Sequence, residues 1–507
     1  MKPKILNLNK RRAGVIAPLS ALRGPDDCGV GDVAALDEFF PWMNEAGMSV
    51  IQLLPLSDLA PLDACPYTAI SAFAMDVAYL APARLPEVQT SPTWRAAWKQ
   101  TGKGRASTRA MFPQTRRIKY AFLRKLFDAL AFDAMDADFS RFRREHRDWI
   151  EDYALFRALQ EERGWKSWSR WPKALRDRHL AALSEERDRL SRDILFHQWV
   201  QYRLFSQWTD VRKRAKRSGI LLFGDIPFGL GKSSADVWAR QGEFDFSASM
   251  GAPPDQYSDT GQAWGLPAYR WAEMEADGHH WWRARIRAAR DSFDLFRIDH
   301  AIGFFRTWLI RAGRRGNGFD ILTPSAQKAR GKRFCSMVRR EGAPARVIAE
   351  DLGLLPDFVP PVLQSLEIPG YKVARWEYEK EGIFQHPATY PNLSVAASGN
   401  HDVEPLAAWW TRLPKKEKKA YWHMVTGNGG APRFSPSVRK TILENLYNAK
   451  SSLLLIQLQD ALGTRERINT PGTVNNRNWR YRAPASKSAF TKNAPLLRTL
   501  AESSGRY

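Results

Sequence analysis

The chain has 507 residues, 44% hydrophobic, 12% aromatic and 26% charged, which suits a folded protein with a large core and excludes a disordered one. No run reaches the ~18 uninterrupted apolar residues of a membrane helix, and the basic start MKPKILNLNKRRAGVIAPLSAL has no secretory apolar core or cleavage site, so a cytoplasmic protein is expected. A formal net charge of +23 points towards polyanions, but the basic residues of RFRREHRDW and LRDRHLAALSEERDRLSRD alternate with acids at helical spacing and no nucleic-acid-binding motif accompanies them. Nonspecific polyanion adhesion is the partner class this leaves, without a specific nucleic acid or a membrane.

Along the chain, short apolar runs recur, each ending in polar residues. They are GVIAPL (14–19), MSVIQLLPL (48–56), GILLFGDIPF (219–228), DLFRIDH (294–300), RVIAEDLG (346–353), YKVARWEYE (371–379), LSVAASGNHD (393–402) and SLLLIQLQD (452–460). Eight buried strand candidates are the number a closed parallel barrel requires. After the first run, Leu36, Phe39, Phe40 and Met43 fall on one helical stripe, so the pattern is βα and a (β/α)8 TIM barrel within one catalytic unit is expected.

The spacing is uneven. Runs two and three are separated by roughly 160 residues, far beyond an ordinary crossover, which predicts an insertion over 57–218, helix-rich over 94–218. There Ile118, Phe122, Leu126 and Leu130 share a helix face. A second insertion, 227–291, contains the Gly-, Pro-, Asp- and Ser-rich stretch GAPPDQYSDTGQAWGLP and reads as an active-site loop.

Cys28, Cys65 and Cys335 lie far apart, so neither a disulfide framework nor a zinc site is indicated, and the adjacent His279 and His280 have no partner spaced for a metal. The chemistry gathers instead at the carboxyl ends of the runs, where barrel enzymes place their catalytic groups. In order these are Asp225, Arg297 with Asp299 and His300, the pair Glu350–Asp351, and His401–Asp402. Strand alternation puts Arg297 and Asp299 on one face, where the cation holds the carboxylate ionised, as a nucleophile or as half of a structural salt bridge. Glycosidic chemistry needs a second carboxyl as acid and then base, about 5–5.5 Å away for retention. Only one of Glu350 and Asp351 can face the cleft; the other, with Asp351 the better candidate, would cap the following segment. Asp402 is either a third acid stabilising an oxocarbenium-like transition state or a turn aspartate.

Together the motifs resemble those of the 4-α-glucanotransferase family, the amylomaltases or disproportionating enzymes, related to the α-amylase barrel enzymes. The resemblance runs from PLSALRGPDDCGVGD and LLPL...CPYTAISAFA through GDIPFGL, SSADVW, FRIDHAIGFF, VIAEDLG and SGNHD to LQDALGTRERINTPGTVNNRNWRYR. It implies transfer of an α-1,4-glucan segment to the 4-hydroxyl of an acceptor glucan or glucose by a retaining double displacement, without a metal or organic cofactor. Carried over residue by residue, Asp299 is the nucleophile, Glu350 the acid/base and Asp402 the transition-state stabiliser. Arg297 orients Asp299, His300 and His401 bind sugar hydroxyls, Asp225 is a structural or binding carboxylate, Tyr67 a stacking platform, and Trp264 lines the acceptor side. Two departures stand out: PPDQYS in place of PPDYFS puts Gln256 beside Tyr257 in the loop over the glucan, and NHDVE in place of THDND brings in Asn400 and Val403. The same acids would also serve an α-1,4-glucan hydrolase, whereas a noncatalytic glycan- or polyanion-binding protein would have no use for them. A monomer is expected.

Overall fold

The computed structural model describes residues 6–8, 10–101, 106–130, 137–254, 261–311, 316–353, 355–380 and 382–507. All eight apolar runs contain barrel strands: β1 (Arg12–Ile16), β2 (Val50–Gln52), β3 (Leu221–Ile226), β4 (Leu295–Ile298), β5 (Arg346–Ala349), β6 (Gly370–Val373), β7 (Ser394–Ala397) and β8 (Leu453–Gln457). Apart from β5 and β6, each pairs in parallel with its sequence neighbour, and β8 pairs with β1. The ring closes between β5 and β6, where the Ala349 N–H donates to the Pro369 carbonyl at 2.8 Å.

Alternation fills the barrel. Ile16, Val50, Phe223, Leu295, Ile348, Val373, Val395 and Leu455 pack inside with Leu8, while Phe296 and Ile298 face outward into the larger core beneath the helices. Gly14 also faces inward, and a side chain there would collide with the Val50 carbonyl, 2.3 Å from the position of a Cβ. Helix α1 (Ala35–Glu45) buries Leu36, Phe39, Phe40 and Met43, the stripe expected to bridge β1 and β2.

Between β2 and β3 the chain runs through a helical layer whose longest members are α2 (Phe112–Asp128), α3 (Arg147–Glu162) and α4 (Ser191–Arg217). Phe122 and Leu126 are buried on α2, with Ile118 and Leu130 partly buried against the same core. Between β3 and β4, the insertion that reads as an active-site loop contains two antiparallel strands, Phe244–Ala252 and Gln262–Tyr269. They join Trp308–Arg311 and Gly318–Phe319 in a four-stranded sheet beside the barrel. Register shifts near Asp245 and Met250 break the period-2 pattern there, so local sequence masks the strands and tertiary pairing makes them. Among the described residues, no helix is long and apolar enough to cross a membrane.

Candidate active site

The inward positions that carry Leu and Phe lower in the barrel carry polar groups at its carboxyl-terminal end. On β3 the residue after inward Phe223 on the same face is Asp225; on β4 the residue after inward Leu295 is Arg297, and the two lie in register on adjacent strands. Arg297 Nη1 donates to both Asp225 oxygens at 2.7 and 2.8 Å, with both side chains buried. Its other arm, Nη2, lies 2.9 Å from Asp299 Oδ1 and 3.6 Å from Glu350 Oε2. One buried guanidinium therefore faces three carboxyl groups. Burial opposes its charge, but Asp225 and Asp299 outweigh that and keep it protonated.

Past β4 the backbone turns sharply: His300 sits in the left-handed region at φ 47°, uncommon for a residue with a Cβ. The turn aims the His300 N–H at Glu350 Oε2, 2.6 Å away, and stands the imidazole between Phe228 and Trp264, with ring centroids at 5.4 and 4.8 Å. Burial pulls the His300 pKa down to about 4, so the ring is neutral at pH 7. Asp299 keeps an exposed edge while its Oδ2 accepts the Phe228 N–H at 3.3 Å.

Glu350 and Asp351 part company. Glu350 joins the Arg297 cluster, and burial, reinforced by Asp299, pushes its carboxyl up to about 7 against the pull of Arg297. Asp351 turns to the barrel seam and accepts the Tyr371 N–H at 2.7 Å. It closes β5 onto β6 rather than capping the segment that follows it, because the seam leaves that strand N–H without a ladder partner.

Tyr67, in the loop after β2, donates its hydroxyl to Asp225 Oδ2 at 2.7 Å and stacks on His401 at 5.0 Å and 28°. After β7, Asn400 Oδ1 accepts the Asp402 N–H at 2.9 Å, forming the turn that a threonine hydroxyl could also form. Asp402 faces His401 Nε2 at 3.4 Å and accepts the Asn469 amide at 2.7 Å. Burial works to raise the Asp402 carboxyl, but His401 and Asn469 outweigh it and hold it at about 2. Val403 is buried against the backbone at Gly399, an apolar contact that its predecessor type in the motif, asparagine, would not make. Asp225, Arg297, Asp299, His300, Glu350, His401, Asp402, Tyr67 and Trp264 thus converge on one rim, while Gln256 and Tyr257 lie outside the described residues.

The family model described as 4-alpha-glucanotransferase, glycoside hydrolase family 77, matches residues 17–487. The chain belongs to this family. A 4-alpha-glucanotransferase of Chlamydia pneumoniae is 31% identical over 93% of this chain and 91% of its own, and one from Aquifex aeolicus is 30% identical over 98% and 99%. The amylomaltase of Streptococcus agalactiae, solved in complex with acarbose, superposes with a TM-score of 0.84 at 25% identity, covering 98% of this chain and all of that one. The Corynebacterium glutamicum amylomaltase shares the fold, with a TM-score of 0.83 at 20% identity over 99% of this chain and 76% of its own.

Within this 4-α-glucanotransferase, the closing segment RINTPGTVNNRNWRYR contributes more than the resemblance it carries. Asn469 holds Asp402, and Trp479 lies 5.6 Å from both Tyr67 and His401. Arg467 ties Asp402 and Asn469 together through their carbonyls and reaches Glu404 at 2.9 Å. Sequence reasoning assigned these residues no role. Their only local signal is a dense polar run after the last strand, and nothing local pairs it with the β7 loop. Of the described tryptophans and tyrosines in the second insertion, Trp238, Tyr269 and Trp271 are core, while Trp264 stays partly open beside His300.

Proposed function

We propose that this 4-α-glucanotransferase works as a retaining double displacement on α-1,4-glucans through Asp299, Glu350 and Asp402. Asp299 attacks the anomeric carbon of the donor while Glu350 gives its proton to the departing glycosidic oxygen. The C–O bond to the leaving chain breaks and a glucosyl ester on Asp299 forms. Glu350, now a carboxylate, takes the proton from the 4-hydroxyl of an acceptor glucan or glucose. That oxygen attacks the anomeric carbon, the ester bond breaks, and the α-1,4 linkage returns with Glu350 protonated again.

What carries this reading is the Arg297 cluster, in which the same guanidinium touches a partly open Asp299 and the more deeply set Glu350. The two carboxyls need opposite protonation states, and burial supplies the difference by keeping a proton on Glu350 near neutral pH. Asp402, held ionised, faces the positive charge that develops on the sugar ring. Neutral His300 takes sugar hydroxyls, as does His401, whose imidazole burial would keep neutral but Asp402 shifts towards the protonated form; Tyr67 stacks on the ring at the cleavage point, and Trp264 supports the acceptor. Gln256 and Tyr257 are the residues proposed to contact the glucan from the second insertion, and keeping water out while an acceptor is held favours transfer over hydrolysis. The reading includes a monomer in the cytoplasm, the reducing compartment that three free cysteines, two of them buried, fit.

The test is maltotriose with the purified enzyme. Glucose plus a ladder of longer maltodextrins is expected, and short sugars with matching new reducing ends would mean hydrolysis instead. Asp299→Asn is expected to lower the rate about 10³-fold or more with an unchanged circular dichroism spectrum; a near-wild-type rate would remove Asp299 from its role.

A further inference from the structure

Away from the barrel mouth, the helical layer encloses a second concavity of about 330 Å³. The segment before Tyr67 walls it with Leu59 and Pro61, α2 with Arg116, Arg117, Tyr120 and Arg124, and α3 with Arg157 and Glu161, while Trp165 and Phe196 complete the wall. Its acceptors are engaged and several of its donors are not. Glu161 Oε1 accepts from Arg157 at 2.8 Å and Oε2 faces His197 at 3.4 Å. Arg116 is spent on Asp76 and on the carbonyls of Ala60, Pro61 and Asp63. Among the described residues, Arg117 has no ion-pair partner, the Tyr120 hydroxyl has no hydrogen bond, and Arg157 Nε, on a side chain that is fully buried, has no acceptor.

A neutral sugar asks for acceptors as well as donors, since each hydroxyl does both; a phosphate dianion asks for donors alone. The Arg157 guanidinium lies over the rings of Tyr120 and Trp165 at 5.1 and 4.8 Å, so the wall presents aromatic surface with a cation behind it, which suits a sugar ring carrying an anionic group. We propose that this cavity binds the phosphate monoester of a small sugar, with Arg117 and Tyr120 on the phosphate, and that its occupancy is felt at Tyr67. The mechanical link is Arg116. Its guanidinium grips the 60–63 backbone four residues before Tyr67, while its neighbour on the cavity wall, Arg157, holds Asp58 at 2.9 Å at the start of the same segment.

The experiment is calorimetric titration of the whole protein with glucose 1-phosphate, inorganic phosphate and maltose, repeated on Arg117→Ala and Tyr120→Phe, neither of which belongs to the catalytic cluster. The ester is expected to bind the unaltered protein and to lose about tenfold or more in affinity in Arg117→Ala, with a smaller loss in Tyr120→Phe. Maltose, which the active site takes, should bind equally to all three. No ester binding, or equal ester binding by all three proteins, would overturn the site. Maltose affinity falling along with that of the ester would assign the cavity to neutral sugars, and inorganic phosphate binding as tightly as the ester would overturn the sugar half. For the link to Tyr67, the KM for maltotriose should shift about fivefold with saturating ester in the unaltered protein and stay constant in Arg117→Ala; a constant KM in both overturns the coupling.

Discussion

Glu350 and Asp402 are both carboxyls at strand ends, yet their surroundings drive them apart, to about 7 and about 2. The sign for activity follows. Glu350 must carry a proton to expel the leaving group, so kcat/KM for maltotriose should fall about tenfold per pH unit as pH rises past 7; a profile flat to pH 9 would contradict its role. The signs for stability are opposite. Asp402, depressed when folded, contributes stability above its unfolded pKa that is lost as pH falls towards 2, whereas Glu350, raised when folded, costs stability once pH climbs above its unfolded value. Asn400 yields a sharper contrast, because its side chain serves the Asp402 N–H. Asn400→Thr should keep near-wild-type activity, since a hydroxyl can accept the same bond, while Asn400→Ala should lose activity by about 5- to 10-fold, the scale of one hydrogen bond. Maltotriose kinetics on the two variants check this, and equal rates would show that the turn does not position Asp402.

At the scale of elements, the barrel depends on its seam. Asp351 accepts the Tyr371 N–H and lies flush against Gly370, where a Cβ would stand 1.9 Å from its carboxylate. Gly370→Ala should therefore destabilise the protein by about 1–3 kcal/mol through overpacking, read as a lower denaturation midpoint. Combining it with Asp351→Ala should cost less than the two single changes added together, because the second removes the clash that the first creates. Additive costs would show that the carboxylate does not set the glycine requirement. The same seam explains the division of labour between two adjacent acids: alternation sends them to different sides, and only one side faces the cleft.

Across the whole molecule, the excess of 77 basic over 54 acidic residues is partly internal. Several arginines bond backbone carbonyls where a carboxylate might have been expected: Arg375 reaches the carbonyls of Ser398 and Glu404, Arg439 those of Asp460 and Ala461, and Arg11 those of Tyr447, Ala449 and Ser504. Arg506 is fully buried and donates to the carbonyls of Tyr447, Ala449 and Ser451, with Arg12 and Ser452 close by, so it joins the amino ends of β1 and β8. Such residues raise the net charge without adding to a polyanion-binding surface. Arg506→Ala should leave those carbonyls buried and unmet, costing at least about 1–3 kcal/mol. Thermal denaturation should show the loss while kcat per folded molecule stays unchanged; an unaltered melting temperature would mean that water replaces the guanidinium.

The barrel was legible in the chain because each buried strand is a short apolar run with its own start and stop, and the pairing of neighbouring runs follows from their order. Arg297 and Asp299 were legible for a similar reason: period-2 geometry relates residues two apart without reference to anything distant. What the tertiary structure alone decided depends on contacts between segments that local periodicity cannot relate. It separated Glu350 from Asp351, since that choice rests on where β6 meets β5. It made strands of the insertion that reads as loop by pairing Phe244–Ala252 with Gln262–Tyr269 on one side and Trp308–Arg311 on the other. It also brought Asn469 onto Asp402 across 67 residues and Tyr67 onto Asp225 across 158. Sequence order determines which groups can reach the rim; the closed barrel determines which of them meet, because burial and charge act over ångströms in space and not along the chain.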